Sequence, residues 1–233
     1  MKILAVNGSP RGKSGNTECI LQPFLEGANA AGAQTETIYL NEKRIHHCSG
    51  CLSCWSKTPG TCIHNDDMQD LLPKIADADI LVYASPLYVF TVTGLMKDFM
   101  DRKLPLFTPA IQEKGNRYFH DKRYPKNNEQ RSVLISNCGF PGRYNFSGLV
   151  ETFKVMTGNK LAAAILLTQG GILKNEELSD LFVPYFTAVK NAGRELVEHG
   201  SIQPETQAVL DKEILDPAIY QQAANASLAS LEK

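Results

Sequence analysis

Five short β-branched or apolar runs, most of them followed by a longer amphipathic stretch, restrict this chain more than any other property of its sequence. The runs are KILAV (2–6), TETIYL (35–40), DILVYAS (79–85), SVLISN (132–137) and LAAAILL (161–167). Runs of this length that are apolar nearly throughout read as strands buried on both faces, the situation in a parallel sheet covered by helices on each side. Helices are predicted over 16–31, 66–76, 92–102, 146–157 and 179–199. The expected fold class is therefore α/β, a doubly wound five-stranded parallel sheet in a three-layer α/β/α sandwich. Ligands of such sheets sit beyond the carboxyl ends of the strands, near the point where strand order reverses. The segments just after residues 6, 85 and 137 are where chemistry is expected.

The first of these, NGSPRGKSGNT (7–17), joins a strand to a helix. Gly8, Gly12 and Gly15 permit tight turns and close backbone approach. Ser9, Ser14, Asn16 and Thr17 supply short hydrogen-bonding groups, and Arg11 and Lys13 add positive charge at a helix N-terminus, which already favours an anion. The segment is neither G-x-x-x-x-G-K-[ST] nor G-x-G-x-x-G. A phosphate site is the expected reading; a plain glycine-rich turn with Asn16 as N-cap is the simpler one.

This segment resembles the phosphate loop of the flavodoxin-like NAD(P)H-dependent FMN reductase family. Two further segments carry the resemblance: ASPLYVF (84–90), similar to the family's S-P-[IL]-Y stretch, and NCGFP (137–141), at the position of its next ring-lining loop. The resemblance covers about residues 1–170. It implies a flavodoxin-like sheet, FMN as cofactor and NAD(P)H as electron donor. It also implies FMN-binding roles for Ser9, Arg11, Ser14, Asn16 and Thr17 at the phosphate, and for Pro86, Leu87, Tyr88, Val89, Phe90, Asn137, Cys138, Gly139 and Phe140 along the ribityl chain and ring. Tyr88 serves equally well as a ring contact or as packing. No general acid or base is named, because in such enzymes the cofactor carries the chemistry.

Four of the six cysteines fall in one short stretch, Cys48, Cys51, Cys54 and Cys62, spaced C-x2-C-x2-C-x7-C. Structural zinc prefers two C-x2-C pairs set a dozen or more residues apart, whereas consecutive x2 steps suit an iron–sulfur cluster. Unmetallated thiols, a redox disulfide or adventitious zinc remain open alternatives. In a flavodoxin-like chain the motif resembles the iron–sulfur flavoproteins, and by that resemblance the four cysteines are ligands of one [4Fe–4S] cluster beside FMN. His46, His47 and His64 flank the motif and are expected as surface or hydrogen-bonding residues. Trp55 is read as shielding a cluster, reaching a neighbouring subunit's flavin, or packing. Cys19 is expected in the core.

The chain has 233 residues, with 24 Lys and Arg against 25 Asp and Glu, and no basic block of five or more. That balance argues against nucleic-acid and anionic-membrane partners. No apolar run approaches the roughly 18–20 residues that span a bilayer, and the opening residues lack a secretory pattern, so the cytoplasm is expected. One domain is expected over 1–200, with a cysteine loop at 41–65 and a basic insertion at 103–131, followed by a helical tail over 201–233. The insertion holds seven Lys and Arg against three Asp and Glu; an interface or lid role outranks NADPH selection. Asp66 and Asp67 are expected to cap the next helix, and Asp98 to pair with Arg102 at i, i+4.

The activity implied is an FMN-dependent oxidoreductase passing electrons from NAD(P)H or another donor to a small-molecule acceptor, such as a quinone, or to a redox protein. The alternative is a non-enzymatic electron carrier. The family further implies a homodimer or homotetramer. No G-x-S-x-G or H-E-x-x-H is present to support hydrolysis.

Overall fold

The computed structural model describes residues 1–126 and 129–229; the parts of the insertion at 127–128 and of the tail at 230–233 lie outside the described residues. In chain order the elements are β1 (Lys2–Asn7), α1 (Asn16–Ala30), β2 (Gln34–Tyr39), α2 (Met68–Asp77), β3 (Ile80–Pro86), α3 (Gly94–Asp101), β4 (Phe107–Lys114), β5 (Arg117–Lys122), β6 (Arg131–Asn137), α4 (Ser147–Met156), β7 (Leu161–Leu167), α5 (Ser179–Glu198), α6 (Pro204–Leu210) and α7 (Pro217–Ala229). Five of the strands form one parallel sheet in the order β2-β1-β3-β6-β7. Setting β4 and β5 aside, this is the flavodoxin-like order, with its reversal between β1 and β3.

Successive side chains of a strand face opposite ways, and here each direction is filled. Ile3, Ala5, Val82 and Ile135 point to one core with Leu21 and Phe24 of α1 and Val189 of α5. Leu4, Val6, Leu81 and Leu134 point to the other, with Leu71 of α2, Phe99 of α3 and Phe153 of α4. Full burial of a side chain of this kind contributes about 1.5–3 kcal/mol, so neither face of the sheet tolerates exposure. The register aligns the strand ends: Asn7 lies opposite Ala84, Pro86 opposite Asn137, and Asn137 opposite Leu167. Three loops therefore leave the sheet at one level.

The helices match the sequence expectation to within two residues at each end. The basic insertion carries regular structure of its own. Residues 107–122 form an antiparallel hairpin, β4 with β5, turning at Gly115 and Asn116, both with positive φ. A Gly-Asn pair between strand-like runs is a two-residue hairpin signal. Asn16 is not the N-cap of α1 either. Gly15 holds that position without a side-chain bond, and the Asn16 amide instead donates to the Gly170 carbonyl at 2.6 Å.

Helices α1 and α5 approach through paired glycines. A Cβ on Gly193 would collide with the Phe24 carbonyl oxygen, and one on Gly27 with that of Lys190. Gly193→Ala is therefore expected to destabilise the fold by about 1–3 kcal/mol, as overpacking does, seen as a lowered thermal midpoint. An unchanged midpoint would mean that the two helices separate freely.

Candidate functional site

The three loops are stitched together by buried hydrogen bonds. The Gly8 amide donates to the Ala84 carbonyl at 2.7 Å and the Leu87 amide to that of Asn137 at 2.8 Å. The Thr93 hydroxyl, which caps α3 by accepting from the Met96 amide, donates to the Gly8 carbonyl at 2.7 Å. In the first loop, buried Asn7 directs the chain. Its side-chain oxygen accepts the Ser9 amide at 2.9 Å and its nitrogen donates to Glu18 at 2.8 Å. Ser9 is buried and its Oγ accepts the Arg11 amide at 3.3 Å, while the Ser14 hydroxyl donates to the Arg11 carbonyl at 2.8 Å. Gly12 has φ +50°, and a Cβ there would meet the Asn41 side chain at 2.6 Å. The result is a compact turn that ends on the N-terminus of α1, with Arg11 exposed beside it. Thr17 lies deeper, its hydroxyl donating to Asn137 Oδ1 at 2.9 Å.

The second loop is a tight turn closed by reciprocal backbone bonds between Tyr88 and Thr91. Val89 and Phe90 occupy it at φ 47° and 61°, a region in which a β-branched residue is an outlier. Such backbone persists only where its surroundings enforce it, and it concentrates at ligand sites. Val89 is 90% exposed, Phe90 56% and Tyr88 50%. In the third loop Phe140 is 61% and Tyr144 77% exposed, whereas Cys138 is buried and its Sγ lies 3.3 Å from the Phe140 carbonyl oxygen. Aromatic and aliphatic side chains thus stand in water around the strand ends. Tyr144 was not singled out from the sequence, although it follows Phe140 by four residues. Also unforeseen is the tail's hold on this loop: the Tyr220 hydroxyl bonds to the Gly139 carbonyl oxygen at 2.5 Å, and Glu213 accepts the Gly142 amide at 3.1 Å.

The cysteine segment packs beside α3. Cys48, Cys51, Cys54 and Cys62 line one pocket together with His64, Arg102 and Leu104, and all six cysteines of the chain are free thiols. Among the described residues no three His, Cys, Asp or Glu side chains converge tightly enough for one metal ion. Four thiols on one pocket are nonetheless the donor set that an iron–sulfur centre uses, since such clusters are held by cysteine thiolates. Burial pushes the Cys54 thiol up, and the charges of Cys62, Cys48 and Cys51 push it further, a repulsion that a multivalent cationic centre would relieve. Hydrogen bonds with Ser53 and Ser49 draw the Cys51 thiol below its ordinary value. The donor chemistry therefore fits an iron–sulfur cluster.

A buried ion pair fixes this segment to α3. Arg102, 1% exposed, makes two bonds to Asp66, at 2.7 and 3.0 Å, and a third to the His46 carbonyl oxygen at 2.7 Å. Burial opposes the charge on Arg102, and the bond to Asp66 with the charges of Cys62 and Asp66 outweighs it, so the guanidinium is held above its ordinary value. This corrects two expectations. Asp98 does not pair with Arg102; it accepts from His47 at 2.6 Å, and the i, i+4 pair on α3 is Lys97 with Asp101. Asp66 does accept the Met68 amide at 3.1 Å, but its main partner is Arg102, while Asp67 receives the Arg44 amide at 2.7 Å. Trp55 packs against the hairpin, donating to the carbonyl oxygens of Leu104 and Phe107 and lying against the His120 ring. Cys19 is partly buried against the α1 core.

Residues 1–123 match the model of the NADPH-dependent FMN reductases. The chain belongs to that family. An iron–sulfur flavoprotein of Archaeoglobus fulgidus is 38% identical over 105 residues, 45% of this chain and 46% of the relative. One of Methanocaldococcus jannaschii is 37% identical over 106 residues, 46% and 53% of the two chains. The match thus spans about half the length of these curated relatives. Among solved structures, an FMN-dependent NADH-azoreductase of Bacillus anthracis in complex with FMN superposes with a TM-score of 0.61 at 17% identity, covering 84% of this chain and 99% of that one. An NAD(P)H:quinone oxidoreductase of Methanothermobacter marburgensis gives 0.61 at 18%, covering 85% and 98%. At these identities the likeness shows the shared flavodoxin-like fold. No helix among the described residues is long and apolar enough to cross a membrane.

In this member of the FMN reductase family the thiols differ in reactivity. Burial pushes the Cys138 thiol up to about 11, whereas Cys51 is exposed and lowered. In metal-free protein at about pH 8, iodoacetamide should label Cys51 well ahead of Cys138, because the thiolate is the reactive form. Labelling of Cys138 should rise only in strongly alkaline buffer. Peptide mass mapping checks this, and equal labelling at the lower pH would contradict it.

Proposed function

We propose that the chain is an FMN-dependent oxidoreductase that takes electrons from NAD(P)H and delivers them to a small oxidant such as a quinone. A [4Fe–4S] cluster on Cys48, Cys51, Cys54 and Cys62 is its second redox centre. When bound, FMN supplies two-electron and one-electron chemistry and the cluster one-electron chemistry. The observation that carries the reading is the meeting of three loops at one sheet edge, with a cationic turn on one side and exposed aromatic side chains on the other. That combination matches a flavin, which has an anionic tail and an apolar ring.

Ser9, Arg11, Ser14 and Asn16, with the first amides of α1, bind the phosphate, and Thr17 braces the turn from below. The backbone of 86–90 and 137–140 runs along the ribityl chain and ring. Tyr88, Phe90 and Phe140 wall the ring and exclude water from it. The names of the relatives, iron–sulfur flavoproteins, support the cluster. The exposed side chains of the second and third loops also suit coverage by a second copy of the chain, in a cytoplasmic homodimer or homotetramer.

Arg11→Ala removes a charged donor worth about 1.5–3 kcal/mol. FMN binding is therefore expected to weaken by about tenfold or more, measured as flavin retained after gel filtration and by fluorescence titration. Unchanged retention would contradict the loop assignment. The activity is checked by following NAD(P)H oxidation with a quinone or ferricyanide. Turnover is expected, and a flavin-loaded protein that reduces neither would be a carrier instead.

A further inference from the structure

Three buried side-chain atoms among the described residues lack a hydrogen-bond partner: Nε2 of His64, Nε of Arg102 and the hydroxyl of Tyr185. Two of the three belong to residues that line the cysteine pocket. Buried nitrogens are almost always paired, so two unpaired ones at a single pocket ask for a common acceptor. We propose that Arg102 and His64 are sulfur-facing donors, giving Nε–H of Arg102 and Nε2–H of His64 to the cluster sulfurs or cysteine thiolates and thereby setting the centre's reduction potential. The proposal rests on the reading of the four thiols as ligands of an iron–sulfur cluster.

The geometry separates this role from a purely structural one. Arg102 follows α3 directly and is immobilised by Asp66 and by the His46 carbonyl oxygen. Those bonds occupy its two terminal nitrogens and anchor the cysteine segment to α3. They leave Nε unused, and they involve His64 not at all. His64 is held separately, its ring stacked on that of His46 with centroids 5.2 Å apart. Two donors reached from different parts of the chain thus meet at one pocket, each fixed before any group binds. Hydrogen bonds to cluster sulfurs and nearby positive charge favour the more reduced, more negative state, so they raise the potential.

The test uses the full chain isolated anaerobically, with iron and sulfide counted per chain and the cluster midpoint read by a redox titration followed by electron paramagnetic resonance. Arg102→Lys keeps the charge and removes Nε–H. His64→Leu removes the second donor and touches no ion pair, and His64→Gln restores an N–H. The midpoint is expected to move to more negative values in Arg102→Lys and His64→Leu, and back towards wild type in His64→Gln. Lys97→Gln, on the exposed part of α3, should leave it unchanged. Loss of iron from a folded His64→Leu protein with wild type loaded would also support the proposal. Should Arg102→Lys fail to fold, the His64 pair decides. A loaded wild type whose midpoint is the same in His64→Leu overturns the inference alone. A wild type isolated without iron and sulfide overturns the cluster reading and the inference with it.

Discussion

Asn7, fully buried at the end of β1, is the residue on which the candidate flavin site is built. The strand it ends is bonded on both edges, to β2 and β3, so its position is set by the whole sheet. Its amide reaches in two directions at once, to the Ser9 backbone and to the Glu18 carboxylate, which in turn accepts from the Tyr39 hydroxyl at 2.6 Å. The rigidity of the sheet is thus passed into a loop that would otherwise be a flexible glycine-rich connection. A loop held this way presents its amides and Arg11 in one arrangement, which lowers the ordering cost of binding an anion.

Helix α3 performs the corresponding task for the second site. Its N-terminal cap, Thr93, is tied to Gly8 in the first loop, and Arg102 at its other end is tied to Asp66 beside the cysteines. Eight residues of helix span roughly 12 Å, so one short rigid element relates the two candidate redox sites. Breaking the Asp66–Arg102 pair would leave a charge buried without its partner, which is strongly destabilising. The orientation of the cysteine segment and the stability of the fold are coupled through that pair.

The sheet and its helices were legible in the sequence because burial on both faces leaves a periodicity that needs no tertiary knowledge. The loops at the strand ends were legible for the same reason: once the strands are placed, Gly12, Arg11 and Tyr88 fall at their carboxyl ends. Charge partners were not. Asp98 and Arg102 have the spacing of a helical pair, yet Asp66, 36 positions before Arg102, holds it, because a guanidinium buried under the cysteine segment takes the carboxylate buried there with it. The hairpin at 107–122 was masked by its charges, although Gly115 and Asn116 marked its turn. The contacts of Tyr220 and Glu213 with the third loop depend on how the tail folds back, which no local pattern encodes. The orphaned nitrogens of His64 and Arg102 arise from which groups fold around them, which no local pattern encodes either.

In the proposed function one chain holds a flavin at the strand ends and an iron–sulfur group in the four-thiol pocket. Crystals grown anaerobically from the intact protein, with anomalous diffraction collected on both sides of the iron edge, address it directly. An iron signal enclosed by Cys48, Cys51, Cys54 and Cys62 is expected, with flavin density placing its phosphate at Ser9 and Arg11 and its ring against Tyr88 and Phe140. A metal peak whose anomalous signal does not change across the iron edge, or a flavin bound away from these loops, would contradict that arrangement.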